Sequence, residues 1–234
     1  MRLVIMPGMD GTGKLLDPFL ASLPSDWAIT IVKYPSAGSQ DYATLTQHAH
    51  SYFPQDEDFV LLAESFGGPI AVMAAERRPQ NLKALILCAT FVRNPLAWFA
   101  RPLRWLICAP LFRLTPLVFA RLILMSFRRS PNAAKLFRQA MDATTPEALS
   151  LRAKAATGCD VRQTLAATEI PMLLLHGRRD WVLSRRTVKD VQTQRPDAKV
   201  VTLEGPHLLL EMRPWQCRDA IITFLKEHSL MPGA

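Results

Sequence analysis

Two hydrophobic rhythms divide the chain. Before residue 91 and after residue 165, short uninterrupted apolar runs end at turn residues. They pass into longer stretches whose apolar positions recur three and four apart. The runs lie at 3–6, 28–32, 59–63, 82–87, 172–175 and 199–203. An apolar run without alternation predicts a strand buried on both faces, as in a parallel sheet. The periodic stretches predict helices at 15–23, 42–52, 68–77, 186–194 and 214–227. Strand and helix in alternation predict an α/β fold, an open sheet of about six parallel strands with helices on both faces.

Residues 91–165 break this alternation. Their spacing is helical, but Pro95, Pro102, Pro110, Pro116, Pro131 and Pro146 cut it into short pieces. Proline inside a helix removes a hydrogen bond and clashes with the preceding turn. The segment reads as an all-helical insertion between the fourth and fifth strands, with 1–90 and 166–234 forming the core. No internal repeat is visible.

Composition narrows the function classes. With 49% hydrophobic and 21% charged residues over 234 positions, the chain is neither disordered nor of low complexity. No charge-free run reaches the roughly 18 apolar residues of a spanning helix, and residues 1–10 lack the pattern of a signal peptide. Cys88, Cys108, Cys159 and Cys217 are scattered without CxxC spacing. That argues against a zinc site or a disulfide framework, and for reduced thiols in a cytoplasmic protein.

The net charge of +8 is unevenly spread. Residues 91–165 hold 12 of the 28 Lys and Arg but three of the 20 acids, a local +9, while the remainder carries −1. From Arg93 to Arg129 there are seven arginines and no acid. Such a patch attracts an anionic partner. An acidic protein and an anionic membrane surface both qualify; nucleic acid ranks behind them, since no recognised binding module appears.

The chemistry gathers at strand ends. Residues 59–72 read FVLLAESFGGPIAV, an apolar strand running into Ser65 and then a helix. A serine on so tight a turn lies at a helix N-terminus, where free N–H groups and the positive dipole end favour a developing oxyanion. Ala63, Gly67 and Gly68 are small enough to let the chain bend. A helix-capping serine beside packing glycines is the alternative. Residues 3–13 read LVIMPGMDGTG, a strand ending in a glycine-rich loop that turns N–H groups inward. A phosphate-binding loop would end in Gly-Lys-Ser/Thr, whereas Gly13-Lys14 is followed by Leu15. Asp10 and Thr12 read as braces of this loop or caps of the next helix.

Residues 170–182 read IPMLLLHGRRDWV, and 201–210 read VTLEGPHLLL. Asp180 and His207 thus follow the last two strands. A serine hydroxyl becomes nucleophilic when a neutral imidazole takes its proton, and the imidazole needs an acceptor on its other nitrogen. Taken singly, Asp180 also suits a turn and His207 a cap or a core position. Of the other histidines, His176 ends a strand and reads as structural, and Cys88 reads as a packed thiol.

These motifs resemble the α/β-hydrolase superfamily, whose nucleophile elbow is G-x-S-x-G and whose acid and base follow in the order Ser65, Asp180, His207. Ala63 stands for the first glycine, and Pro7 for a histidine common in the oxyanion loop. The resemblance implies catalytic Ser65, Asp180 and His207, with the backbone N–H groups of Met9 and Phe66 as oxyanion donors. It implies neither metal nor organic cofactor. The chain begins too close to its oxyanion loop to hold the two extra strands that usually open this fold, so a minimal all-parallel sheet is expected.

In this superfamily an insertion at 91–165 forms a helical lid. Here Trp98 and Trp105 would line an acyl pocket, and Arg121, Arg128 and Arg129 would meet a partner; ordinary packing and solvated arginine remain the plainer reading of the segment. Core motifs, size and basic lid are similar to those of small bacterial carboxylesterases, including those that cleave the methyl ester of pimeloyl-acyl-carrier protein in biotin synthesis. The resemblance therefore implies ester hydrolysis through an acyl-enzyme. A thioesterase or acyltransferase would share the first half-reaction, and a non-catalytic binding protein would use the basic lid for docking alone.

Overall fold

A computed structural model describes residues 1–77, 79–95 and 131–231. Trp98, Trp105, Arg121, Arg128 and Arg129 lie outside the described residues. The six apolar runs are six strands: β1 (Arg2–Met6), β2 (Ala28–Ile31), β3 (Phe59–Glu64), β4 (Leu82–Cys88), β5 (Met172–Gly177) and β6 (Lys199–Leu203). They form one sheet in the order β2-β1-β3-β4-β5-β6, with every adjacent pair parallel.

Period-two geometry explains the unbroken apolar runs. Successive side chains of a strand point to opposite faces. In β3, Phe59, Leu61 and Ala63 pack on one face with Val4, Met6, Leu85, Leu87 and Leu174. Val60 and Leu62 pack on the other with Leu3, Ile5, Ile86, Leu173 and Leu175. Both faces are covered, so both parities are apolar. Each of the larger side chains contributes about 1.5–3 kcal/mol on burial. The edge strands β2 and β6 are only partly buried, and they carry Thr30, Lys199 and Thr202.

Helices cover the two faces. α2 (Tyr42–His50) and α3 (Gly67–Glu76) lie on the first. α2 opens on a cap in which Asp41 accepts from the Thr44 N–H. A short α1 (Asp17–Leu20) and the long terminal helix contribute Phe19, Cys217, Ile221 and Phe224 to the second. The predicted helix at 15–23 is shorter than expected: a 3₁₀ turn at Lys14–Leu16 precedes α1. Pro18 in its first turn supplies no N–H donor, and Ser22 donates back to the Phe19 carbonyl, closing the chain after a single turn.

The described part of 91–165 contains α4 (Pro131–Asp142) and α5 (Pro146–Gly158), and α6 (Arg162–Ala166) follows. It also has an isolated antiparallel bridge, Arg93 to Asp160. After β5 come α7 (Arg185–Gln194), α8 (Leu209–Met212) and α9 (Pro214–Glu227). No helix among the described residues is long and apolar enough to cross a membrane.

Candidate active site

In an open parallel sheet, the strand ends nearest the loops that carry ligands are the C-terminal ones. Ser65 follows β3, Asp180 follows β5, and His207 follows β6. The turn at Ser65 is sharp enough to force a positive φ of 47°, a region that costs a non-glycine residue about 1–2 kcal/mol. Neighbouring hydrogen bonds hold it there. The Ser65 N–H donates to Cys88 O at 3.0 Å, the Gly68 N–H donates to Ser65 O at 3.1 Å, and the Thr90 hydroxyl donates to the same carbonyl. Gly67 is required by closeness: a Cβ there would stand 2.7 Å from Pro7 O and 2.8 Å from Met6 O. The helix after the serine thus presses directly on the loop after β1.

Three side chains predicted from separate motifs meet. Ser65 Oγ lies 3.0 Å from His207 Nε2, and His207 Nδ1 lies 2.9 Å from Asp180 Oδ2. The Asp180 side chain is wholly buried, and its other oxygen accepts the N–H groups of Val182 at 2.9 Å and Leu183 at 2.8 Å. Burial pushes its pKa up. The hydrogen bond to His207, the histidine's charge and those two N–H groups push it down, and the net shift is downward. The carboxylate therefore stays ionised where an imidazolium would form. The loops are stitched together as well: Arg178 N–H donates to Leu203 O at 2.8 Å and Arg179 N–H to Gly205 O at 3.0 Å.

The two residues expected to supply oxyanion donors are Phe66, next to Ser65 in the chain, and Met9, on the loop after β1. Phe66 heads α3, and its ring is held by Tyr42, stacked at 4.9 Å, and Tyr34, edge-on at 6.1 Å. Met9 lies on the loop after β1, where a Cβ on Gly8 would stand 3.8 Å from Ser65 Cβ. Asp10 and Thr12 brace that loop: the Thr12 N–H and hydroxyl both donate to Asp10 Oδ2, at 2.9 and 2.5 Å. His176 is buried, with burial drawing its pKa down. Cys88 is a buried reduced thiol pushed up by burial and by neighbouring Cys217.

A family model described as "Serine aminopeptidase, S33" matches residues 32–207, about three quarters of the chain. The chain belongs to that family. This S33-family α/β-hydrolase is 25% identical over 213 residues to a Vibrio parahaemolyticus pimeloyl-[acyl-carrier protein] methyl ester esterase, covering 83% of this chain and 82% of the relative. Among solved structures it resembles an enol-lactonase from Burkholderia xenovorans, with TM-score 0.79 and 18% identity over 96% of this chain and 91% of the other. It likewise resembles a thermophilic esterase from Thermogutta terrifontis, with TM-score 0.77 and 19% identity over 97% and 90% of the two chains.

The structure adds residues to the S33-family site that the motifs left out. Tyr34 donates its hydroxyl to Pro7 O at 3.0 Å. Arg152, counted by sequence within the basic segment, is instead 1% exposed and hydrogen-bonded to the loop after β1. Beside the serine, Glu64 and Glu211 are buried carboxyls. The two carboxyls interact with each other through their side chains. Burial, then the neighbouring Glu211, raises Glu64 well above the ordinary carboxylate range, and burial raises Glu211 to about 8. Burial thus favours the neutral form of both carboxyls.

Proposed function

We propose that this hydrolase is a serine carboxylesterase that works through an acyl-enzyme. The observation that carries the reading is the relay from Ser65 Oγ to His207 Nε2 at 3.0 Å and from His207 Nδ1 to Asp180 at 2.9 Å. Ser65 Oγ attacks the ester carbonyl carbon while its proton passes to His207 Nε2. Asp180 stabilises the imidazolium. The carbonyl oxygen becomes an oxyanion held by the Met9 and Phe66 N–H groups, each donor of this kind adding about 10²–10³ in turnover. The tetrahedral carbon then expels the alkoxide, which takes the proton from His207. Water, deprotonated by the same histidine, releases the acid and restores Ser65.

For the substrate, we infer an acyl ester carried by an acidic acyl carrier protein, with the pimeloyl methyl ester as the specific candidate. The Vibrio relative's name, the sequence resemblance and the basic segment support this reading together. Residues 91–165 would act as the lid, with Trp98 and Trp105 toward the acyl chain and Arg121, Arg128 and Arg129 toward the carrier. The test is covalent labelling by a fluorophosphonate, followed by hydrolysis of p-nitrophenyl esters of graded length beside an acyl-carrier methyl ester. Labelling lost in Ser65→Ala and cleavage of the carrier ester are expected. Failure to label overturns the catalytic reading in favour of a docking protein. Cleavage of thioesters in preference to oxygen esters overturns the esterase assignment.

A further inference from the structure

The helices that follow the undescribed part of the insertion reach the core at the loop after β1. α5 buries Leu149, Arg152, Ala153 and Ala156 on one face. Arg152 donates to four oxygens, none of them a carboxylate. Its Nη1 reaches Met9 O at 2.8 Å and Asp10 O at 2.7 Å, Nη2 reaches Pro35 O at 3.0 Å, and Nε reaches Gln40 Oε1 at 2.9 Å. Thr144, between α4 and α5, also donates to Asp10 O at 2.7 Å. Burying a cation among neutral oxygens is costly unless its donors are satisfied, and an apolar side chain would pack there more cheaply. What a guanidinium adds is a rigid plane of donors: Nη1 holds two consecutive carbonyls while Nη2 and Nε anchor the group on Pro35 and Gln40.

Those carbonyls directly follow the peptide that carries the Met9 N–H. Pro7 O is held by Tyr34, and Gly8 O accepts the Gly11 N–H at 3.1 Å. In a trans peptide, C=O and N–H point in opposite directions. With Gly8 O turned into the 8–11 turn, the Met9 N–H faces out of it, on a loop that passes against Ser65. The Met9 N–H keeps this direction as long as the turn keeps its shape, and Arg152 braces the turn by gripping Met9 O and Asp10 O.

We propose that Arg152 is a positioning residue for the oxyanion site, so that the helical insertion completes the catalytic machinery of the core. The inference rests on the Ser65 esterase reading. Arg152 touches no reacting atom. It sets the direction of one donor, and its loss therefore weakens the transition state more than the bound substrate.

The experiment compares wild type, Arg152→Lys and Thr144→Val on a short p-nitrophenyl ester, with active sites counted by fluorophosphonate titration. Lysine keeps the charge and loses the plane of donors. Arg152→Lys should lower kcat per labelled site about 10²-fold, the loss seen when one oxyanion donor is removed, with KM nearly unchanged. Affinity for a trifluoromethyl ketone, whose hemiketal adduct with Ser65 places an oxyanion at the same point, should fall in parallel. The pH profile should keep its shape, because Ser65, His207 and Asp180 are untouched. Thr144→Val, a smaller perturbation that keeps Arg152, should shift kcat and ketone affinity in the same direction by less, and it decides the matter if Arg152→Lys does not fold. Unchanged kcat per labelled site in the folded variants, with only thermal stability reduced, overturns the positioning role and leaves the esterase reading standing. Wild-type protein inert to both ester and fluorophosphonate overturns that reading itself.

Discussion

Replacing Glu211 by glutamine should reduce a pH-dependent weakness of the fold. Glu64 and Glu211 are 2% and 7% exposed, and burial is the first cause of both raised pKa values. In the unfolded chain each would titrate near the ordinary 4.5, whereas folded Glu211 titrates at about 8. Between these values the folded state holds a proton that the unfolded state has released, so stability falls as pH rises, by about 1.4 kcal/mol per pH unit for each retained proton. Summed over two to three units, that is about 3–4 kcal/mol for one group, comparable to a large part of a domain's net stability. Asp180 acts in the opposite sense: its depressed pKa contributes stability above 3.8 that is lost as pH falls below it. Urea unfolding followed by tryptophan fluorescence, at intervals from about pH 5 to 8, measures the slope. Glu211→Gln should match wild type at the acid end, where both side chains are neutral, and exceed it progressively toward pH 8. A variant whose stability runs parallel to wild type across the range, or falls below it at the alkaline end, refutes the protonated-pair argument.

Three further outcomes follow from the site. Ser65→Ala and His207→Ala should each cut ester turnover by about 10³-fold or more, and Asp180→Asn by somewhat less, with urea midpoints near wild type; steady-state kinetics on purified folded protein decides. Gly67→Ala should lower kcat and destabilise by about 1–3 kcal/mol, because its methyl would press the Pro7 and Met6 carbonyls; normal turnover would show that the loop yields freely. Replacing Arg121, Arg128 and Arg129 by Glu should raise KM for an acyl-carrier ester in a salt-dependent way and leave a short p-nitrophenyl ester unaffected; equal losses on both substrates would make the segment's charge a solvated face.

The strands were legible because burial on both faces leaves no polar position to blur a run, and all six appear within two residues of the expected ends. Ser65, Asp180 and His207 were legible because each sits on a turn with its own local signature. Arg152 was not. Charge counting placed it with the basic patch, although it stands with Leu149, Ala153 and Ala156 at helical spacing on a buried stripe. A lone arginine on such a stripe was the available signal. The same correction reduces the free charge of the segment. Arg93 pairs at 2.6 Å with Asp190, an acid outside the segment, so among the described residues part of the local +9 is already answered within the chain. Glu211 was hidden in the same way, as the polar member of an apolar helical turn after His207.

The serine and its base are 142 residues apart in sequence, and the parallel strands that bring them together pair only through long crossovers. Contacts of that range form late and slowly, since loop closure comes before any reward. Ser65 also leaves the ribosome well before His207, and N-terminal regions begin folding during synthesis. The elbow can therefore be in place while the hydroxyl is still inert. Reactivity toward a fluorophosphonate becomes a clock for the docking of β5 and β6. In refolding from urea, labelling should lag behind the recovery of helical circular dichroism, and chains released before His207 should remain chemically silent.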